Sequence, residues 1–268
     1  MLLGMLCMAQ AKDRIVERPP FLAQNSSSIE IDKIVMSDTV TTVYIKAFYR
    51  PKYWIKIATG SVLKDNNGIL YPIRKGIGIT LDKEFWMPES GEAEFQLTFP
   101  PIPQNVTRLD FSEGDFEGAY KIWGIQLDKK SFGKFKLPKD VIVPKADHKM
   151  TLPDPIVKYD KAILKGRILD YQKGMPDKGS LYYQDVIREG AQEGKIRIQD
   201  DGTFYHEMNV FMITPCTIMF PFGTIEYLLA PGETTSIVIN LRENARKQSH
   251  LRQAEKPYGK EVYYGGYL

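Results

Sequence analysis

Between Leu164 and Leu241 short alternating runs and turn signals follow one another without a break, and that rhythm restricts the chain more than any other feature. Phe204, His206, Met208 and Val210 fall on one face of a run whose other face carries Thr203, Tyr205, Glu207 and Asn209, the period of two that a half-buried strand requires. Ahead of it, Ile196-Arg197-Ile198 runs into Asp200-Asp201-Gly202, a hairpin signal. Cys216 to Phe220, Thr224 to Leu229 and, after Pro231-Gly232, Thr235 to Leu241 repeat the pattern. A one-residue slip would turn each apolar set into water, so the series reads as an antiparallel sandwich.

The 268 residues suffice for two domains, and 43% hydrophobic residues can fill two cores. A formal charge of +3, spread along the chain, implies neither a nucleic-acid footprint nor a steering field. Cys7 and Cys216 are the only cysteines, so removal of an N-terminal leader leaves a single thiol and no intramolecular disulfide. Without a Cys-x-x-Cys pair or clustered Cys and His there is neither a redox motif nor a zinc site, and no metal or cofactor is expected.

Residues 1–11 form an apolar run ending in Ala9-Gln10-Ala11, the small-x-small form that signal peptidase accepts. They read as a signal peptide remnant, which places the protein in the periplasm or cell envelope, with no integral membrane segment because the run is too short to span. Lys12 to Ser28 reads as an exposed lead-in. Residues 29–128 hold about seven strands, as an immunoglobulin-like β-sandwich does. Residues 129–155 interleave lysines with prolines as a linker, and residues 156–241 form the second β-sandwich. In 242–268 a helix over Arg242 to Lys256 is ended by Pro257, and Tyr258, Tyr263, Tyr264 and Tyr267 among glycines read as a truncated element. The fold class is therefore all-β.

No catalytic constellation stands out. Gly190 to Lys195 is one residue short of a phosphate loop, and Ile196 replaces the hydroxyl residue that would hold magnesium. His148, His206 and His250 fall in the linker, a strand and the tail, so no nucleophile is given a base. Asp200-Asp201, or Asp110 with Glu113, could serve a glycosidase, but the first pair sits in a turn where Asp is favoured for backbone reasons. Flat aromatics are what a sugar-binding face needs and also what a core needs. Tyr53, Trp54 and Trp86 are the candidate ligand-binding residues; Trp54 and Trp123 lie within strand patterns and read as core, whereas Trp86, near a turn, reads as exposed.

The run Lys75 to Gly91, with Leu109 to Gly114 and Lys121 to Leu127, resembles the N-terminal region of bacterial envelope proteins related to TlpA-like thiol:disulfide reductases. Leu164 to Tyr171, Asp201 to Phe204 and Leu229 to Thr234 are similar to the same family's carboxypeptidase regulatory-like, transthyretin-like module. The resemblance spans roughly Ile29 to Leu241. It implies a non-catalytic, extracytoplasmic region that positions a C-terminal thioredoxin domain or recognises a protein partner, the thioredoxin domain with its Cys-x-x-Cys being absent here. The alternative is an independent envelope protein that binds a glycan or peptide.

Overall fold

The structure, a computed structural model, describes residues 13–128, Phe132, 135–139, 157–184 and 190–265. The expected signal peptide and residues 266–268 lie outside the described residues, as does most of the expected linker. The chain is all-β, and among the elements described there is a short helix near the C-terminal end. Contacts divide the described residues into two units: 13–21, 26–128, Phe132 and 249–252 in the first; 22–25, 135–139, 157–184, 190–248 and 253–265 in the second.

In chain order the first stretch contains β1 (Arg14–Glu17), β2 (Ala23–Gln24), β3 (Ile29–Met36), β4 (Thr41–Phe48), β5 (Trp54–Ile55), β6 (Val62–Asp65), β7 (Leu70–Pro72), β8 (Lys75–Ile77), β9 (Phe85–Trp86), β10 (Glu92–Phe99), β11 (Arg108–Ser112) and β12 (Lys121–Gln126). One sheet of the first unit runs β1-β3-β4-β10-β8, and the other includes β12-β11-β6-β7. In β4 the period of two is complete: Thr41, Val43, Ile45 and Ala47 are buried, and the residues between them are half-exposed. Those first four are fully buried, as are Leu63, Leu109, Phe111 and Ile125 of the second sheet.

The expected exposed lead-in is instead structured. Arg14 on β1 donates to three backbone carbonyls, those of Gln104, Val106 and Leu127, at 2.7–2.8 Å. The guanidinium fork satisfies loop carbonyls that no strand pairs and ties β1, itself paired with β3, to those loops. Glu30 plays a similar part, accepting from Ser249 Oγ (2.6 Å) and from the amides of His250 (2.7 Å) and Leu251 (3.1 Å).

The second unit holds β13 (Asp160–Leu169), β14 (Lys178–Gln184), β15 (Ala191–Arg197), β16 (Thr203–Val210), β17 (Thr214–Phe220), β18 (Gly223–Leu229), β19 (Thr234–Asn240), α1 (Leu241–Gln248) and β20 (Val262–Gly265). Its sheets run β16-β13-β19-β20 and β15-β14-β17-β18. Two expectations fail in this unit. The sandwich is not purely antiparallel, because β13 pairs in parallel with β19 over Ile163↔Thr234 to Leu169↔Asn240. The chain leaves β13, builds the other sheet and returns to β13's free side in the same direction, which a long crossover permits. Nor does Asp200-Asp201-Gly202 close a hairpin: after one bridge, Ile198↔Phe204, β15 and β16 part into different sheets. Asp201 shapes that turn, its carboxylate accepting from the Thr203 amide (2.9 Å) and hydroxyl (2.7 Å).

The helix ends at Gln248, eight residues short of the expected Lys256, and the Tyr-Gly segment after it is β20, paired with β19. What holds the return loop is a buried pair on α1. Glu243 and Arg246 meet at 2.7 Å, Glu243 also accepts from the Tyr258 amide (2.8 Å), and Arg246 donates to the Gln253 and Glu255 carbonyls. Burial works against the Glu243 charge, but these hydrogen bonds outweigh it and hold the carboxyl below its ordinary range.

Candidate functional site: an exposed aromatic ribbon

Arg50-Pro51-Lys52-Tyr53 is a turn closed by Tyr53 N donating to Arg50 O at 3.2 Å. Pro51 presets its own φ, and Lys52 takes φ +63°, the third-position conformation of a type II turn that glycine normally supplies. Lys52 N then donates to Met87 O (3.2 Å) and Met87 N to Tyr53 O (2.8 Å), so two residues oppose one in a bulge that turns the strand out of the sandwich. Beyond it β5 and β9 form a two-stranded ribbon of their own, with Trp54 opposite Trp86 and Ile55 opposite Phe85.

This register sorts the side chains. Ile55 and Met87 are buried and anchor the ribbon, and the Phe85 ring lies 6.1 Å from Phe95. Trp54 and Trp86, directly opposed, share the outer face and are 45% and 60% exposed. Next to the hydrogen-bonded Tyr53–Met87 position, theirs is the closer-spaced kind of pair, with Cβ atoms about 4.5–5.5 Å apart. Tyr53 is 53% exposed, packs edge-on to Tyr49 with centroids 6.3 Å apart, and lies 5.7 Å from the Arg50 guanidinium. Among the described residues neither indole stacks on another ring.

All three candidate residues are thus brought together, Trp86 exposed as expected. The core reading of Trp54 is overturned, because β5 belongs to this outlying ribbon and not to a sandwich sheet. Trp123 on β12 is half-buried. Tyr49 and Arg50 were not marked by the sequence; the signal was Arg50-Pro51, which begins the turn, and Tyr49 as the last residue before it.

Of the acids that could have served catalysis, Asp110 and Glu113 are engaged by backbone amides. Asp110 accepts from the Gly124 amide (2.7 Å), and Glu113 accepts from the amides of Ala58 (2.8 Å) and Tyr120 (2.9 Å). Burial raises the Glu113 pKa, against the pull of those two amides. Ser249, His250 and Glu30 look like a triad in composition only, because Ser249 Oγ and His250 Nδ1 (3.0 Å) both face the carboxylate, where a nucleophile would need the imidazole. His206 sits half-buried over Gly194, and burial lowers its pKa. Burial pushes the Cys216 thiol up to about 12. Among the described residues no group of three His, Cys, Asp or Glu could hold a metal ion. Among them, too, no helix is long and apolar enough to cross a membrane.

No protein-family model matches the chain, and no curated protein matches it. Among solved structures, the pullulanase of Anoxybacillus sp. LM18-11, complexed with maltotriose, is similar at 10% identity and a TM-score of 0.27, over 70% of this chain and 24% of that one. The type I pullulanase of Bacillus subtilis str. 168, complexed with maltose, is similar at 8% identity and 0.27, over 75% of this chain and 24% of that one. The TIE protein of Bacillus anthracis is similar at 9% and 0.21, over 85% and 40%. The chain corresponds to about a quarter of those pullulanases' length, 24%. Scores this low establish no common fold, so function has to be inferred from the residues themselves.

Proposed function

We propose that this chain is a non-catalytic, extracytoplasmic binding module whose aromatic ribbon stacks a glycan. The observation that carries this reading is the pair of directly opposed indoles, 45% and 60% exposed, with Tyr53 beside them. The negative face of an aromatic ring attracts the positively polarised C–H edges on the flat side of a sugar, and two rings in register with a third nearby suit a short run of residues better than a single ring. Arg50 adds a donor at the edge. Affinity electrophoresis over a broad panel of bacterial and plant polysaccharides tests it. Retardation by at least one polymer, lost in Trp54→Ala and Trp86→Ala with unchanged melting temperature, is the expected result; a wild-type chain retarded by none refutes it. The extracytoplasmic placement is tested by the mature N-terminus, expected near Lys12, with an intact Met1 on exported material as the contrary result.

A second reading is supported by the position of Trp86 inside the run Lys75 to Gly91, which resembles the TlpA-like region. On it the ribbon meets a protein, the thioredoxin domain of a thiol:disulfide oxidoreductase or its partner. In-cell crosslinking from position 86 would then recover such a protein, and recovery undiminished by Trp54→Ala would exclude the ribbon as the contact.

A further inference from the structure

In the second unit β18 is the last strand of one sheet and β20 the last strand of the other, and two adjoining cavities lie along the opening between them. One, about 390 Å³, is floored by Phe220, Phe222, Ile225 and Ile239. The other, about 520 Å³, is floored by Pro215, Cys216, Tyr227 and Leu228. Glu226 and Tyr264 line both, and the Tyr264 hydroxyl donates to the Glu226 carbonyl at 2.9 Å, so one side chain divides a single cleft. We propose that this cleft binds a small organic cation, an aromatic or aliphatic amine whose apolar body enters between the sheets and whose ammonium group meets the Glu226 carboxylate.

Four observations carry the proposal. The volumes are those of ligand sites, and the floor is apolar and ordered, with Phe220 and Phe222 stacked at 5.2 Å and 8°. The mouth is preformed: Asn244 donates to the Phe222 carbonyl at 2.7 Å, and a Cβ at Gly223 (φ +155°) would sit 2.9 Å from Asn244 Nδ2. Among the described residues neither lining contains Lys, Arg or His, although the whole chain is net basic. Of the two acids at the rim Glu261 is neutralised by Lys247 at 2.6 Å, whereas Glu226 has no ion pair among the described residues. The Tyr264 phenol responds to the same field: burial first, and then Glu226 and Glu261, push its pKa up. An amine would place its charge beside a carboxylate that has no ion pair among the described residues, with its apolar body against the cleft's apolar lining.

The test uses the full chain and two probes of one shape and opposite charge, phenethylammonium and 3-phenylpropionate, followed by chemical-shift titration. Phenethylammonium is expected to saturate, and to bind about tenfold more tightly than the acid, a preference that one nearby unscreened carboxylate can supply. Glu226→Gln, an exposed and nearly isosteric change, should abolish the preference, and Thr224→Trp should block the amine by filling the mouth; melting curves confirm that both variants fold. Equal binding of the two probes, a preference that survives Glu226→Gln, or no saturation by the amine in the millimolar range would overturn the proposal.

Discussion

Replacing Gly166 by alanine should destabilise the second unit far more than one added methyl group ordinarily does, and the structure allows the cost to be worked out. Gly166 on β13 pairs directly with Phe204 on β16, and the Phe204 ring lies across it. A Cβ built on Gly166 would fall 1.9 Å from Phe204 Cζ and 2.2 and 2.3 Å from the two Cε atoms, inside the ring's own volume. Gly166 is not among the residues with positive φ, so alanine fits the backbone and the whole penalty comes from evicting the ring. Phe204 is 3% exposed and packs at 5.5 Å on Phe220, which floors the cleft between β18 and β20. Overpacking costs about 1–3 kcal/mol where neighbours yield, and losing a buried Phe altogether about 3–5 kcal/mol. The entropy gained on replacing glycine returns about 0.4–1 kcal/mol, leaving an expected net loss of about 2–3 kcal/mol. Urea unfolding of Gly166→Ala, Phe204→Leu and the double variant measures it, with a coupling of more than about 1 kcal/mol expected because leucine removes the obstacle. A loss below about 0.5 kcal/mol, or the same alanine cost with leucine at 204, would refute the reasoning.

Lys52→Gly should stabilise the first unit by about 0.5–1 kcal/mol, since relief of the left-handed conformation outweighs glycine's extra chain entropy and the exposed ion pair to Glu89 contributes little; a lower denaturation midpoint would contradict this. Cys216 should resist iodoacetamide at pH 8 in the native protein and react at the rate of opening, because burial pushes its pKa up to about 12; rapid stoichiometric labelling would show the thiol to be accessible. His206 titrates in the folded protein below its ordinary value of 6.5. Its neutral form is therefore favoured by folding, the contribution is complete above that value, and stability falls as pH drops below it while the unfolded chain takes up the proton. His206→Gln should have a flatter stability profile between pH 7 and 5 than the wild type, and parallel profiles would exclude the effect.

How far such residues could be read in advance depended on whether the decisive contact was local. Alternation in β16 is written in adjacent residues and appears in the structure as read. The Asp200-Asp201-Gly202 turn was equally legible, but whether the strands after a turn stay paired is decided by their other neighbours: β13 takes β16, and β14 takes β15. The parallel partner of β13 lies about seventy residues away, beyond any local pattern. Polar residues after Gln248 continue a helical composition, yet Ser249 and His250 leave the helix because their hydroxyl and amide bond to Glu30, some 220 positions earlier. In the ribbon, the Trp86 turn could be read, whereas Trp54 misled because a two-residue strand carries too little pattern to show which sheet it joins.

Trp54 also matters because the fold does not need it. Each indole offers about 200 Å² of surface, roughly half of it left in water here, and at about 25 cal/mol per Å² that forgoes some 2–3 kcal/mol of burial per ring. The ribbon's attachment is already secured on its other face, where Ile55 and Met87 are buried. Polar residues at 54 and 86 would leave that attachment untouched. Meanwhile the backbone around the rings is held firmly, at Lys52 by a conformation that strains a side chain and at Gly91 (φ +71°) by a site where any Cβ would lie 2.7 Å from the Tyr49 carbonyl oxygen. Strain kept in the turns and apolar area kept in water both oppose stability, and both act at the same end of the first unit. A rigid, pre-positioned aromatic surface is what stacking on a flat ligand requires, because the rings then lose little freedom when the ligand arrives. On the proposed reading the two costs together, more than the exposure of either tryptophan alone, distinguish a binding platform from incidental surface hydrophobicity.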